Sequence, residues 1–166
     1  MKAHQLTKEV VFFVNNESAT KAIARRLSRF LTRREVIALS GDLGSGKTFF
    51  ARSLIQSCTS NNEEVLSPTF SLVQTYETSL GLVSHFDLYR IKKPEEVLEI
   101  GFDDAVADGI VLIEWPSQLG VLLPVNRIEI DIKHGNTETS RQLKFCGYGC
   151  RAVRILDTFD DGATYG

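Results

Sequence analysis

Hydrophobic residues occur along the first third of the chain in two different patterns. Residues 10–14 and 36–39 are short, continuous apolar runs of the kind that form buried strands. Residues 17–31 instead place apolar side chains at steps of three and four, with basic residues between them, which predicts an amphipathic helix. Residues 48–56 predict a second helix. A strand, helix, strand, helix order favours an α/β fold in which helices cover both faces of a parallel sheet.

The middle of the chain continues with further strands and a short helix. Residues 71–77 and 80–88 predict two strands joined by a tight connection. Residues 94–101 predict a short helix, with proline at its first position and glycine just past its end. Residues 110–113 form the clearest buried parallel strand, because four branched apolar residues precede a carboxylate and a proline soon follows.

The C-terminal part alternates apolar and polar residues. Residues 127–133 alternate strictly, which is typical of an antiparallel strand with one wet face, and residues 141–145 return to form an edge hairpin. Residues 151–156 are expected to add a last strand. The acidic stretch of small residues at 157–166 is expected to be a loosely held tail, so a single domain is predicted over residues 1–156.

Composition narrows the classes of protein to which the chain can belong. Its 166 residues, 43% hydrophobic and 24% charged, suit one globular domain with a real core. Nineteen basic and 21 acidic residues give a formal charge of −2, so no overall basic character attracts nucleic acid. The three cysteines are scattered and form no zinc set, which favours a reducing compartment. Without a signal-peptide pattern or a long apolar run, we expect a cytoplasmic protein with no membrane contact.

One segment carries a specific chemical motif between the second strand and the second helix. It matches the phosphate-binding pattern, also called Walker A, of one glycine, four free positions and then Gly-Lys-Ser/Thr. It consists of Gly41, Asp42, Leu43, Gly44, Ser45, Gly46, Lys47 and Thr48. Glycines let backbone N–H groups turn inward around a polyphosphate, and the following helix directs its positive end at the same point. Lys47 would add a charge for the terminal phosphates, and the Thr48 hydroxyl a ligand for Mg²⁺.

Several polar residues after this motif are candidates for the rest of the site. Asp87 and Glu114 each end an apolar strand, where carboxylates can hold Mg²⁺ or orient a water for attack on the terminal phosphate. Thr69 follows the stiffening Pro68 and could sense the terminal phosphate, although it equally fits a loop that enters a strand. His85 is more typical of a half-buried strand histidine than of a catalytic group. Trp115 fits either a wall of the nucleotide site or a cap on the core.

Four blocks of the sequence, in order, resemble the TsaE (YjeE) family of small P-loop ATPases. The blocks are residues 41–48, residues 67–70 (SPTF), residues 85–90 (HFDLYR) and residues 113–115 (IEW), and the resemblance spans about residues 10–145. It implies a three-layer P-loop NTPase-like fold with a mostly parallel sheet. It also implies ATP or ADP with Mg²⁺ at Lys47 and Thr48, a switch-like role for Thr69, and Mg²⁺ and hydrolysis functions for Asp87 and Glu114.

The resemblance further implies contacts that the residues alone do not indicate. Trp115 would lie beside the nucleotide, and Asn16, Glu17 and Arg141 would contact its adenine side. Proteins of this family act in threonylcarbamoyladenosine modification of tRNA together with a TsaD–TsaB heterodimer. TsaD-like and TsaB-like proteins are therefore the expected partners, and tRNA would be contacted only indirectly. Residues from Cys146 onward match no motif of the family.

Two other functional classes can use the same phosphate loop. A P-loop kinase for a small metabolite would need an arginine-rich lid and an acceptor-binding insertion, and neither pattern occurs in the sequence. A nucleotide-gated assembly module would work by binding alone, without essential hydrolysis. An Asn-Lys-x-Asp motif for reading guanine is also missing from the sequence, which disfavours a guanine-specific switch.

Overall fold

The computed structural model describes residues 7–59, 64–66, 68 and 70–161. These residues form seven strands, five α-helices and one 3-10 segment. The strands are β1 (Thr7–Val14), β2 (Val36–Ser40), β3 (Val73–Thr78), β4 (Gly81–Asp87), β5 (Ile110–Glu114), β6 (Arg127–His134) and β7 (Arg141–Tyr148). The helices are α1 (Glu17–Ser28), α2 (Lys47–Cys58), α3 (Glu96–Glu99), α4 (Phe102–Asp108) and α5 (Cys150–Asp160), with the 3-10 segment at Pro116–Leu122.

The seven strands form one mixed sheet in the order β1-β7-β6-β2-β5-β4-β3. The central pairs β6/β2, β2/β5 and β5/β4 are parallel, whereas β1/β7, β7/β6 and β4/β3 are antiparallel. The expectation of a mostly parallel sheet is therefore wrong. The hairpin predicted from residues 127–145 is present as β6 and β7, but it lies inside the sheet, because β1 pairs with the outer side of β7.

Helices pack on both faces of this sheet. One core cluster joins α1, α2 and α5 to the sheet, and includes Ile37 and Leu112. The other lies under α3, α4 and the 3-10 segment, and includes Val36 and Val111. Successive strand residues point to opposite faces, so a strand covered on both sides must be apolar at every position. The continuous apolar run of β5 meets this requirement, and its prediction as a buried parallel strand is confirmed.

Strand β1 is an edge strand and not the buried strand that its apolar run predicted. It lies at an edge of the sheet and pairs antiparallel with β7 alone. Val10, Phe12 and Val14 are buried, whereas the side chain of Phe13 is 69% exposed. The continuous apolar run is thus a half-buried strand, since only one of its faces meets the core. The amphipathic helix that follows is confirmed as α1, and its apolar side includes Ile23 and Leu27.

The C-terminal segment is a helix, which corrects two expectations. Residues 151–156 lie within α5 and do not form a strand. Residues 157–160 continue the same helix, so this part of the predicted tail is packed, and Phe159 is fully buried. Its ring makes edge contacts with Phe12 at 5.3 Å and lies 5.2 Å from Phe145. Asp161 caps the end of this helix, and residues 162–166 of the expected tail lie outside the described residues.

The helix predicted at 94–101 is present but shorter, and a second helix that was not predicted follows it. α3 covers Glu96–Glu99, and α4 begins after Gly101, whose φ of 82° is a backbone conformation that favours glycine. The sequence interpretation did not include α4, whose Phe102 packs edge-on against Phe86 at 5.3 Å. Over the part of the chain that the structure describes, no helix combines the length and apolar character needed to cross a membrane.

Candidate active site

The phosphate-loop motif joins β2 to α2, which is the strand-to-helix context that its pattern requires. Gly46 precedes α2 with a φ of 110°, and a Cβ at this position would meet no atom within 4 Å. Glycine is therefore favoured at position 46 by the backbone conformation and not by a lack of space for a side chain. At Gly41 both reasons apply, since its φ is 142° and a Cβ would lie 2.4 Å from the Ile132 carbonyl oxygen.

Lys47 is buried at the start of α2, where three groups surround its ammonium. Nζ donates to the carbonyl oxygens of Gly41 at 2.8 Å and Asp42 at 2.9 Å. It also lies 4.2 Å from the centre of the Trp115 ring, which is within cation–π distance. Burial lowers the pKa of Lys47, and the nearby carboxylates of Glu114 and Asp87 oppose that shift. The ammonium is thus held at the loop by neutral carbonyl oxygens, which a charged phosphate could replace.

The two candidate carboxylates come together because their strands are parallel neighbours. Asp87 ends β4 and Glu114 ends β5, and the strand register places them directly opposite each other. Both are buried. Burial raises the pKa of Asp87, and the charge of Glu114 adds to this, whereas the backbone N–H of Tyr89, the strongest opposing influence, lowers it. Two acidic groups therefore share one end of the sheet, next to the phosphate loop.

Glu114 links the carboxylate pair to the phosphate loop. The Thr48 hydroxyl donates to Glu114 Oε2 at 3.0 Å, and His85 Nε2 lies 2.8 Å from Glu114 Oε1. Each oxygen of the carboxylate therefore has its own side-chain partner. The favoured interpretation of His85 as a half-buried histidine underestimated its burial, because the side chain has no exposed surface.

Lys47, Thr48, Asp87 and Glu114 line a cavity of about 380 Å³. Among the site residues predicted from the sequence, the cavity brings together Leu43, Gly44, Gly46, Lys47, Thr48, Asp87, Glu114 and Trp115. Trp115 has a φ of 59° and begins the turn after β5. Its ring lies 5.1 Å from that of Tyr89, and it also packs against the core cluster that includes Val111. Trp115 thus covers the core and also lines the cavity, while a contact with a nucleotide stays a prediction.

A second cavity of about 240 Å³ lies on the other side of the phosphate loop. Gly46 and Phe49 line both cavities, while Glu17 and Arg141 line only the second. Arg141 Nε donates to the Ser45 carbonyl at 2.8 Å, which ties β7 to the loop. Asn16 does not line this cavity, because its side chain accepts from the backbone N–H of Ala19 and caps α1.

Three residues that line the cavities were not predicted from the sequence, and one predicted residue is not among those that the structure describes. Thr69 lies outside the described residues. Tyr89 and Arg90 line the larger cavity, and Phe49 lines both, although none of them was predicted as a site residue. Their positions in the sequence could have indicated that these three residues line the site. Phe49 directly follows the phosphate-loop motif, and Tyr89 and Arg90 follow Asp87 within residues 85–90. Arg90 also places its guanidinium 5.2 Å from the ring of Phe70, a side chain that is 88% exposed.

The oxygen donors around Thr48 suit a hard cation better than a soft one. Thr48 and Glu114 are in contact, and Asp87 lines the same cavity. Among the described residues, no group of three or more His, Cys, Asp or Glu side chains could hold a metal by itself. Mg²⁺ commonly takes one or two protein carboxylates and completes its shell with phosphates and waters. The donor set at Thr48 therefore fits Mg²⁺ that arrives with a nucleotide.

Comparisons with known proteins identify the family to which the chain belongs. The family model described as "Threonylcarbamoyl adenosine biosynthesis protein TsaE" matches residues 14–143. The tRNA threonylcarbamoyladenosine biosynthesis protein TsaE of Rickettsia felis is 42% identical over 74% of this chain and 72% of its own. The protein of the same name from Bacillus subtilis is 31% identical, over 90% and 93% of the two chains. YdiB of Bacillus subtilis, whose crystal structure is known, is 26% identical and superposes with a TM-score of 0.79 over 93% of this chain and 96% of that one. With its phosphate loop, its paired strand-end acids and these matches, the chain belongs to the TsaE family.

Proposed function

We propose that this protein binds ATP with Mg²⁺ at the phosphate loop and hydrolyses it in support of threonylcarbamoyl group formation on tRNA adenosine. The observation that carries the proposal is the 3.0 Å contact between the Thr48 hydroxyl and Glu114 Oε2. This contact joins the phosphate loop to a buried strand-end carboxylate within one cavity. A P-loop ATPase needs these two parts side by side, because one holds the phosphates and the other serves the metal and the attacking water.

Different parts of the site would bind the phosphates and the adenosine of the nucleotide. The loop N–H groups and the positive end of α2 would hold the phosphates, and Lys47 would exchange its carbonyl partners for phosphate oxygens. The cavity that contains Glu17 and Arg141 would take the adenosine part, since it borders Gly46 from the opposite side. Trp115 would stay next to the nucleotide as a wall of the larger cavity. ATP and ADP would differ in how far they reach toward Glu114.

Hydrolysis would depend on the acids at the ends of β4 and β5. Thr48, Glu114 and Asp87 are the residues that would hold Mg²⁺, which, when bound, would offset negative charge on the phosphates. A carboxylate at this edge would also accept a hydrogen bond from the attacking water and orient it. Thr69 is proposed to act as part of a switch-like segment. We expect slow turnover by the isolated protein, because a partner would complete the geometry of the site.

Similarity to the TsaE proteins supports the biological setting of the proposal. The relatives from Rickettsia felis and Bacillus subtilis are named for tRNA threonylcarbamoyladenosine biosynthesis. By this similarity, the chain would act in the cytoplasm on a complex of TsaD-like and TsaB-like proteins and would contact tRNA only through it. The mixed sheet with helices on both faces would then be a three-layer variant of the P-loop NTPase fold.

A fluorescence titration tests the binding part of the proposal. Trp115 is the only tryptophan in the chain, so intrinsic fluorescence reports on the wall of the larger cavity. ATP added in the presence of Mg²⁺ should change this fluorescence with saturation, and ADP should compete. The ATPase rate should then rise when a TsaD–TsaB complex and tRNA are added at fixed Mg²⁺. If ATP neither changed the fluorescence nor bound in calorimetry, the proposed function would be wrong.

A further inference from the structure

We propose that His85 is a positioning residue of the nucleotide site, which holds the Glu114 carboxylate in the orientation that presents Oε2 to Thr48. This inference rests on the proposed function and deepens it. The two residues lie on neighbouring parallel strands, where His85 is opposite Leu112 and therefore two positions before the level of Glu114. Even so, the histidine reaches the carboxylate, with Nε2 at 2.8 Å from Oε1.

The surroundings of the imidazole indicate which nitrogen carries the proton. His85 is completely buried, and its Nδ1 has no hydrogen-bond partner among the described residues. A proton on Nδ1 would be a buried donor without an acceptor, and Nε2 would then present a lone pair to a carboxylate oxygen. A proton on Nε2 instead supplies the donor that Oε1 requires. We therefore assign the Nε2–H tautomer, in which the imidazole donates to Glu114.

The two contacts together restrict the rotation of the carboxylate. Oε1 accepts from the histidine and Oε2 accepts from the Thr48 hydroxyl. Rotation of the carboxylate about the Cγ–Cδ bond of Glu114 would therefore break both hydrogen bonds. Thr48 is a residue that would itself bind Mg²⁺, and its hydroxyl can turn away to do so. The contact with His85 would then be the one that keeps Oε2 directed at the cavity. A carboxylate held by a neighbouring donor binds a metal better, because less freedom is lost on binding.

A purely structural role for His85 makes a different prediction. In that case the histidine only fills space, and Glu114 serves as a convenient partner for its nitrogen. Replacements that fold should then bind and hydrolyse Mg-ATP normally. If His85 acts through Glu114, replacing it should instead raise the Mg²⁺ requirement and lower kcat. A side chain that restores a donor at the Nε2 position should reverse both effects.

The test compares three variants, of which His85→Gln places its amide nitrogen near the position of Nε2. His85→Asn has the same amide on a shorter side chain that cannot reach Glu114, and His85→Leu removes the donor at similar volume. Thermal unfolding establishes that each variant folds. Trp115 fluorescence then gives the affinity for ATP without Mg²⁺ and the Mg²⁺ concentration that gives half of the Mg-dependent change. Rates of ATP hydrolysis give kcat and KM separately.

We expect His85→Leu and His85→Asn to need about 10- to 100-fold more Mg²⁺ and to lose a similar factor in kcat. Affinity for ATP without Mg²⁺ should stay within about threefold, and His85→Gln should recover most of the Mg²⁺ dependence. Because Asn and Gln differ only in reach, this pair decides the question even if the leucine variant fails to fold. Equal behaviour of the Asn and Gln variants, or normal Mg²⁺ dependence in both, would overturn the positioning role.

A second comparison separates this inference from the function on which it rests. In a Glu114→Gln background, His85→Asn should add little further loss, because the two residues act as one unit. Independent, multiplying losses would contradict the inference while leaving the ATPase proposal intact. If the wild-type protein did not bind Mg-ATP at all, the proposed function itself would be wrong, whatever the His85 variants did.

Discussion

The two cavities on either side of the phosphate loop differ in what their charged side chains contact. In the larger cavity Lys47 and Glu114 are buried, and Glu114 contacts the side chains of Thr48 and His85. In the smaller cavity Arg141 donates to the backbone carbonyls of Ser45, Glu138 and Ser140. In the larger cavity, buried side chains therefore form hydrogen bonds to one another. In the smaller cavity, the arginine forms hydrogen bonds to the backbone instead.

Under the proposed function, this difference would divide nucleotide binding from hydrolysis between the two cavities. Buried charges interact in a low local dielectric, and the Glu114 carboxylate is already held by hydrogen-bond partners, an arrangement that favours transition-state stabilisation. Partly exposed groups such as Arg141 are screened by water and contribute mainly to affinity. Substitution of Glu114 should therefore change mainly the rate, whereas substitution of Arg141 should change binding alone.

The largest effect is expected from Glu114→Gln. The amide keeps the shape of the side chain but removes its negative charge, so we expect kcat to fall by about 10²- to 10⁴-fold. Affinity for ATP should change by less than about tenfold, as measured by Trp115 fluorescence. Glu99→Gln on the exposed side of α3 is the matched control and should behave as wild type. If Glu114→Gln still supported tRNA modification at the normal rate, the protein would be an assembly module that works by binding alone.

The next largest effect is expected from Lys47→Ala. Charge-assisted hydrogen bonds to phosphate contribute about 1.5–3 kcal/mol, so the affinity for ATP should fall by roughly 10- to 100-fold. The fold should be retained, because the groups that contact the ammonium among the described residues are two loop carbonyls and the face of Trp115. Calorimetry is the better measurement here, since the substitution also removes a cation next to the fluorophore. Lys21→Ala on the exposed face of α1 is the control, and equal affinity in both variants would remove Lys47 from the site.

A smaller effect is expected from Arg141→Ala in the second cavity. The variant loses the hydrogen bond that ties Arg141 to the Ser45 carbonyl, and a single bond of this kind is worth about 1 kcal/mol. ATP affinity should therefore fall by about threefold to tenfold, with kcat unchanged at saturating ATP. Lys144→Ala on the same strand, whose ammonium pairs with Glu9 instead, should leave both quantities unaltered. A large loss of kcat in Arg141→Ala would show that the two cavities are not divided as proposed.

The smallest effect on function is expected from Asn16→Ala. The resemblance to the TsaE family implied an adenine contact for Asn16, but in the structure its side chain caps α1 by accepting from the Ala19 N–H at 2.9 Å. Loss of an N-cap lowers the free energy of unfolding by about 1 kcal/mol. Denaturant unfolding should show this loss, while ATP affinity stays within about twofold. Asn16→Asp keeps the capping oxygen and should retain the stability, whereas an affinity loss in Asn16→Ala larger than that of Arg141→Ala would restore the adenine contact.

Local patterns were sufficient where a segment's environment follows from its own residues. The apolar run of β5 indicated burial on both faces, and the spacing of Ile23 and Leu27 indicated the core side of α1; both predictions are confirmed. The last helix was predicted wrongly because residues 151–156 are too few to distinguish a period of 2 from one of 3.6. The helical spacing becomes clear only when Phe159, beyond that window, is counted with Ile155 and Leu156.

Edge position could not be inferred from a strand's own composition. The run at residues 10–14 is as apolar as that of β5, yet β1 has a neighbour on one side only and leaves Phe13 exposed. Which strands become neighbours depends on pairing between distant segments, and β1 pairs with β7 from the other end of the chain. The predicted edge position of the β6/β7 hairpin failed for the same reason.

The sequence by itself determined the phosphate loop and the acids that end two apolar strands, because backbone freedom at glycine and burial of branched residues are local properties. Only the tertiary structure decided that Glu114, 66 residues after Thr48, accepts its hydroxyl hydrogen bond. It also decided that His85 holds the other carboxylate oxygen. Both contacts depend on β5 lying between β2 and β4 in parallel register. That register follows from packing across the whole sheet, which no single segment of the sequence encodes.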